Sequence, residues 1–171
     1  MATVTDQGDA GTTARFPAVG GRTLLGLELA LPRDLPAELT LAVVAFKRWH
    51  QERVDHWIAR AVAAGIPPTP RGATGLLPVA VVEVPVLSSA WRPARRLIDG
   101  GMTAGIGDPA ILARTITVYT NVAAFQRALA IPGGEDVHAL VVRRDGTILA
   151  RRSGDPDDDS WDAIVSVLPV G

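Results

Sequence analysis

The apolar positions of this chain fall into short blocks whose period changes from one to the next. Residues 39–46 (Leu-Thr-Leu-Ala-Val-Val-Ala-Phe) form a nearly continuous run of strand length, the pattern of a parallel strand covered on both faces, and are expected to be the central strand. From Trp49 the period becomes helical. Val54, Trp57, Ile58, Ala61 and Val62 recur along one face, while Gln51, Glu52, Arg53, Asp55 and Arg60 stay polar. Gly65 and Pro67-Pro68 end that helix, and residues 69–75 read as a loop. A second buried, valine-rich strand follows at 78–87. Next come a short helix over 91–98, a glycine-rich loop through Gly100, Gly101, Gly105 and Gly107, and one helical turn at 109–112. Residues 115–120 are β-branched and of strand type, and Asn121 is placed to cap a helix over 122–130.

Both ends of this run carry turn signals. Gly20-Gly21 separates two short apolar stretches within 16–31, which predicts an extended segment or hairpin turning at the glycines, and Pro32 and Pro36 punctuate the loop behind it. Near the other end, 137–142 and 147–150 flank Arg143-Arg144-Asp145-Gly146, and an Asp-Gly pair between apolar strands predicts a hairpin. A last helix begins near Asp157 and runs through Trp161, Ile164, Val165 and Leu168. Residues 1–15, small and polar, are expected to be a disordered tail, and 16–171 a single domain.

Composition narrows the function classes. A length of 171 residues suits one domain, and every apolar run is far shorter than the roughly 20 residues of a membrane-spanning helix. With no export signal visible, a cytoplasmic protein is expected. The 17 Lys+Arg against 18 Asp+Glu give a formal charge of −1, which lacks the basic field that nucleic-acid binding needs. There is no cysteine, which excludes disulfides, thiolate metal sites and every thiol nucleophile.

Strand, helix, strand, helix, an inserted strand and helix, a hairpin and a closing helix make an α/β sheet whose parallel part is extended by an antiparallel hairpin. That order resembles the thioredoxin-like superfamily and its peroxiredoxin-like branch, a central mixed sheet flanked by helices. The local matches are Ala42-Val43-Val44-Ala45-Phe46-Lys47-Arg48-Trp49 leading into a helix, and the hairpin over 139–150 with Ser153-Gly154. A narrower resemblance rests on four stretches. Val82-Glu83-Val84-Pro85-Val86, Arg95-Arg96-Leu97-Ile98 with Gly100-Gly101-Met102, Gly105-Ile106-Gly107-Asp108-Pro109, and residues 114–120 are similar to the thioredoxin-like family of F-type ATP synthase assembly factors. It implies a protein-binding or chaperone-like assembly module with another protein as partner, no cofactor and no catalytic residue. Where redox members carry Cys-x-x-Cys this chain has His50-Gln51-Glu52-Arg53, and where they carry a cis-proline it has Val137 or His138. A helix N-terminus lowers a thiol's pKa, but here it has no thiol to act on, so disulfide exchange and cysteine peroxidase chemistry are excluded.

The candidate binding face comprises Trp49, His50, Glu52, Arg53 and His138. In the inferred fold His50 and His138 lie side by side with Glu52 near, so the alternative is a metal site or a thiol-independent enzyme using those three. The plainer and favoured reading has His50 flanking the helix and His138 at a strand surface. His56, about 600° further round the helix than His50, points elsewhere. Lys47, Arg48 and Arg53 suit an anion at the helix start, or more simply a solvated rim. The glycine-rich loop lacks the lysine and Ser/Thr of a phosphate loop, and is left as a connection open to partner binding. Asp155, Asp157, Asp158, Asp159 and Asp162 lack calcium-loop spacing and are explained by a helix start. Nothing fixes Glu52 and Glu83 as a catalytic pair. Trp49, Trp57, Trp91 and Trp161 are expected to pack between helices and sheet, with a groove lined by Trp49 or Trp91 as the alternative. An exposed strand edge leaves a homodimer open.

Overall fold

Alternation along one strand explains the layout of the whole sheet. In the computed structural model, which describes residues 14–68 and 76–170, β3 (Ala37–Ala45) sends Leu41, Val43 and Ala45 to one side and Ala42 and Val44 to the other, all buried. The first side packs against α1 (Gln51–Ala63) and α5 (Asp158–Val165), through Val54, Trp57, Ile58, Trp161 and Ile164. The second packs against α4 (Val122–Ala128) and the chain's first described segments, through Phe16, Leu31, Phe125 and Leu129. A strand sandwiched in this way is almost continuously apolar, with the buried Thr40 the one polar residue among 39–46, which is why that run shows no alternation.

Within the described residues seven strands form one sheet in the order β2-β1-β5-β4-β3-β6-β7. β1 (Val19–Thr23) and β2 (Glu28–Leu31) are an antiparallel hairpin that adds to β5 (Ile116–Thr120). β4 (Leu77–Ser88) runs parallel to both β5 and β3. β6 (His138–Arg143) pairs antiparallel with β3 and with β7 (Ile148–Ser153), closing the hairpin expected at Asp145-Gly146. The fold is thus the expected mixed α/β sheet flanked by helices. β4, rather than β3, is its middle strand, because the N-terminal hairpin docks beyond β5 and shifts the centre by one place.

Two glycine readings are corrected. The first hairpin turns at residues 24–27, where Gly26 takes φ 94° and the Leu27 amide donates to the Thr23 hydroxyl at 3.0 Å. Gly20 and Gly21 lie inside β1 instead. A Cβ on Gly21 would sit 2.7 Å from Ile116 Cγ2 and 3.1 Å from Leu31 Cδ1, so that glycine permits close strand packing, whereas Gly20 faces open space.

The second correction is the glycine-rich loop, which is helical. A 3₁₀ turn over Ser89–Ala94 leads into α2 (Arg95–Ile106), closed by Gly107 in the left-handed conformation at φ 67°. Gly100, Gly101 and Gly105 each weaken a helix by about 1 kcal/mol relative to alanine. Tertiary contacts offset this: the Tyr119 hydroxyl donates to Asp99 at 2.9 Å, and the Thr103 hydroxyl reaches the Leu24 carbonyl at 3.5 Å. α3 (Pro109–Arg114) follows with Asp108 as its cap, and Asn121 caps α4 as expected, its Oδ1 accepting from the Ala124 amide at 2.9 Å.

Of the tail expected over 1–15, residues 1–13 lie outside the described residues, as does the loop expected over 69–75. Arg15 bridges to Thr147, and the Phe16 amide donates to the Gly146 carbonyl at 2.8 Å. No helix among the described residues is long and apolar enough to cross a membrane.

Candidate functional site

The chain leaving β3 turns at once into helix, and this turn is built around one imidazole. Arg48–His50 form a single 3₁₀ turn that passes into α1 without a side-chain cap. His50 occupies that corner fully buried. The Phe46 amide donates to its Nδ1 at 3.3 Å, which puts the ring proton on Nε2, 3.1 Å from the Glu135 carbonyl. The imidazole therefore links the end of β3 to the loop entering β6. Two ion pairs reinforce the same link: Lys47 Nζ lies 4.0 Å from Glu135, and Arg53 pairs with Asp136. Arg53 also reaches Asp155 at 3.5 Å, and His56 meets the same carboxylate at 3.0 Å, which raises the imidazole's pKa.

The five sequence candidates thus separate. His50 is internal. Trp49 is exposed, its ring meeting the His50 edge at 4.4 Å between centroids, and Glu52 is exposed on α1. Arg53 is occupied by carboxylates rather than open to an anion. His138 is half-buried at the start of β6, paired with Val44 across the sheet and edge-on to the Phe46 ring at 6.3 Å. Its Nε2 is buried without a protein partner, and burial pushes its pKa down.

The metal alternative meets a specific obstacle here: both His50 nitrogens already serve backbone groups, leaving no lone pair for a cation. Among the described residues no group of three or more His, Asp or Glu is placed to hold a metal ion. The aspartates near α5 are absorbed by structure as well. Asp157 caps the helix by accepting from the Ser160 amide at 2.8 Å, and Asp158 takes Arg60 at 2.6 Å.

Beside this corner opens a cavity of about 430 Å³. It lies outside the carboxyl ends of the parallel strands β3 and β4, where open α/β sheets characteristically bind ligands. Phe46, Val86, Trp91 and Val122 provide apolar wall, and Lys47, Ser88 and Gln126 supply polar groups. Gly134 forms its edge, and a Cβ there would come within 2.9 Å of Gln126 Nε2 and 3.2 Å of Phe46 Cβ. The expected burial of all four tryptophans holds only for Trp57 and Trp161. Trp49 and Trp91 are exposed at 60% and 58%, and Trp91 lines this groove. Sequence reading missed Phe46, Val122, Gln126 and Gly134 as lining residues. The available signal was topological, the end of each predicted parallel strand.

No family model matches the chain, and no curated protein matches it by sequence. Solved structures do match. A pneumococcal exposed lipoprotein thioredoxin, Etrx1 of Streptococcus pneumoniae strain TIGR4, superposes with a TM-score of 0.52 over 89% of this chain and 100% of its own, at 10% identity. The fold is thioredoxin-like. BsSco, of the Sco family of cytochrome c oxidase assembly proteins, matches this thioredoxin-like chain with a TM-score of 0.55 at 11% identity, over 91% of this chain and 92% of that one. A candidate electron transfer protein from Aquifex aeolicus VF5 matches with 0.58 at 13% identity, over 92% of each chain. At such identities the likeness carries the fold and nothing finer, and none of the three is an F-type ATP synthase assembly factor. In this thioredoxin-like sheet the helix start where the resemblance in element order places the redox motif holds the buried His50 corner.

A second buried polar group lies on the same sheet face as α1. Glu83 on β4 is only 4% exposed, and burial pushes its carboxyl above the usual range, with the Arg114 guanidinium pulling the other way. It is not paired with the exposed Glu52. Its Oε2 lies 3.4 Å from the Thr115 hydroxyl oxygen, and that hydroxyl donates to the Ile111 carbonyl at 2.8 Å, so a protonated acid complements the site best. A folded pKa above the unfolded one means the folded state holds the extra proton between the two values. This contribution to stability is present at low pH and is lost as pH rises through that window. Glu83→Gln, which mimics the protonated acid, is expected to raise stability at pH 7 by about 1 kcal/mol, or about 2–4 °C in Tm for a chain of this size. The gain vanishes near pH 4 in thermal melts, and an equal shift at both pH values refutes the assignment.

Proposed function

We propose that this chain is a non-redox thioredoxin-fold protein that works as a binding module, of assembly or chaperone type, with another protein as its partner. The observation that carries the reading is the His50 corner. The position that redox relatives keep reactive is here a buried imidazole with both nitrogens committed to backbone, while the surface beside it is apolar and open. Trp49 and Trp91 stand exposed there, and Phe46, Val86 and Val122 line the adjoining cavity. Exposed tryptophan is enriched where proteins recognise proteins, because it buries a large area at low entropy cost. Charged groups flank the apolar surface, with Lys47 and its partner Glu135, and Arg53 with its partner Asp136, beside the corner. The membership of BsSco in a family of assembly proteins is consistent with such a use of the fold.

The test compares proteins that co-purify with the intact chain and with a Trp49→Ala/Trp91→Ala double variant. Both residues are surface-exposed, so folding changes by no more than about 0.5 kcal/mol per site. Loss of a specific co-purifying protein by about tenfold or more is the expected result. Retention of every partner, or steady turnover of a small substrate by the purified protein, overturns the reading.

A further inference from the structure

A second cavity, of about 260 Å³, lies on the opposite flank of the sheet centre from the β6–β7 hairpin, between β1, β5 and α2. Its existence follows from a single residue. Gly20 and Arg22 of β1 and Thr117 and Tyr119 of β5 share one sheet face, and because Gly20 has no side chain the face beneath α2 is left bare, with nothing within 4 Å of where a Cβ would stand. Three guanidinium groups, Arg22, Arg92 and Arg95, line the space together with the carboxylates of Glu28 and Asp99. Arg22 is paired with Glu28 at 3.5 Å, and Arg92 donates to the Tyr119 carbonyl at 3.0 Å. Arg95 has no carboxylate within 4.0 Å among the described residues. The floor supplies an independent observation. Thr117 is 1% exposed and its hydroxyl has no hydrogen-bond partner, an arrangement that buried polar groups rarely keep unless something else satisfies them.

We infer that this cleft is a binding site for a small hydroxylated monocarboxylic acid. Its charge is the deciding argument. Three guanidinium groups against two carboxylates leave one positive charge, which one carboxylate balances, whereas a doubly charged phosphate would place an excess negative charge beside Glu28 and Asp99. The planar Arg95 fork matches a carboxylate with two parallel hydrogen bonds. The ligand's second oxygen function satisfies Thr117. A space of this size, just below the usual range for ligand cavities, selects a molecule of a few carbons. The cleft shares no lining residue with the cavity at the carboxyl ends of β3 and β4.

Isothermal titration of the intact chain with lactate, glycerate, inorganic phosphate and glycerol tests it. Either hydroxy acid is expected to bind with Kd of about 1 mM or tighter, and phosphate and glycerol about tenfold more weakly or not at all. Arg95→Gln should weaken binding about tenfold, the loss of one bidentate charge-assisted pair. Gly20→Leu, whose Cβ would meet nothing within 4 Å, extends its side chain into the cleft and should abolish binding with Tm held. Thr117→Val removes an unpaired buried hydroxyl, so it should weaken binding of the hydroxy acids while leaving stability equal or higher, which a purely structural threonine would not do. Absence of binding by either acid, tighter binding of phosphate, or binding that survives Gly20→Leu overturns the inference.

Discussion

His50→Ala lowers the free energy of unfolding by about 3 kcal/mol, the sum of a cavity in a fully packed corner and a buried amide left without an acceptor. The ring is fully buried, so little solvent can replace it. Its loss strands the Phe46 amide and unties the Glu135 carbonyl from the helix start. Lys47–Glu135 and Arg53–Asp136 then remain as the side-chain ion pairs between the helix start and residues 135–136, and exposed pairs of that kind are each worth about 1 kcal/mol or less. Denaturant unfolding at pH 7 measures the loss, and hydrogen exchange at Phe46 shows whether the corner has opened. His50→Gln, which retains a donor and an acceptor, is expected to recover part of the stability. A loss below about 1 kcal/mol for the alanine variant would show that His50 is a bystander.

Trp57→Ala is expected to cost more, about 4 kcal/mol, a large share of a domain's total of about 5–15 kcal/mol. Trp57 is fully buried in the layer between α1 and the sheet, with its ring centroid 6.4 Å from that of Trp161 on α5. Its indole nitrogen donates to the Gly154 carbonyl at 2.8 Å, and the Gly154 amide donates to the Val137 carbonyl at 3.0 Å. One side chain therefore couples α1 to the end of β7 and the start of β6. Trp57→Phe separates the two contributions. It keeps most of the apolar bulk but orphans Gly154, and should cost about 1–2 kcal/mol. Equal losses for the two variants would assign the whole effect to the hydrogen bond.

Elements with a strong period were legible in the sequence, and those decided by a distant contact were not. β3 announced itself because burial on both faces leaves an unbroken apolar run over residues 41–45, and α1 because one face is polar throughout. α2 was hidden because Gly100, Gly101 and Gly105 argue locally against helix, while the contacts that favour it, Tyr119 to Asp99 and Thr103 to Leu24, come from β5 and the first hairpin turn. Gly20-Gly21 looked like a turn, yet Gly21 is required by the approach of Ile116, 95 residues further along. The site shows the same division. His50 was singled out as part of a binding face, and its place beside the chain entering the hairpin was inferred from fold order. Its role was not, since whether an imidazole binds a ligand or its own backbone depends on where the Phe46 amide and Glu135 carbonyl lie. Phe46, Trp91, Gln126 and Gly134 come from four separate segments, and no local pattern marks them as neighbours.

The division of the four tryptophans has a practical consequence for anyone working with the purified protein. Trp57 and Trp161 both belong to the layer packed against α1 and α5, and the opposite layer contains no tryptophan. Intrinsic fluorescence of the interior therefore registers the melting of one face of the sheet, so emission and circular dichroism should coincide only when both layers unfold together. Trp49 and Trp91 emit from the surface beside the 430 Å³ cavity and should respond to whatever docks there. Iodide quenching, which reaches the exposed pair and not the buried one, turns the wild-type chain into its own optical sensor of occupancy, without a label.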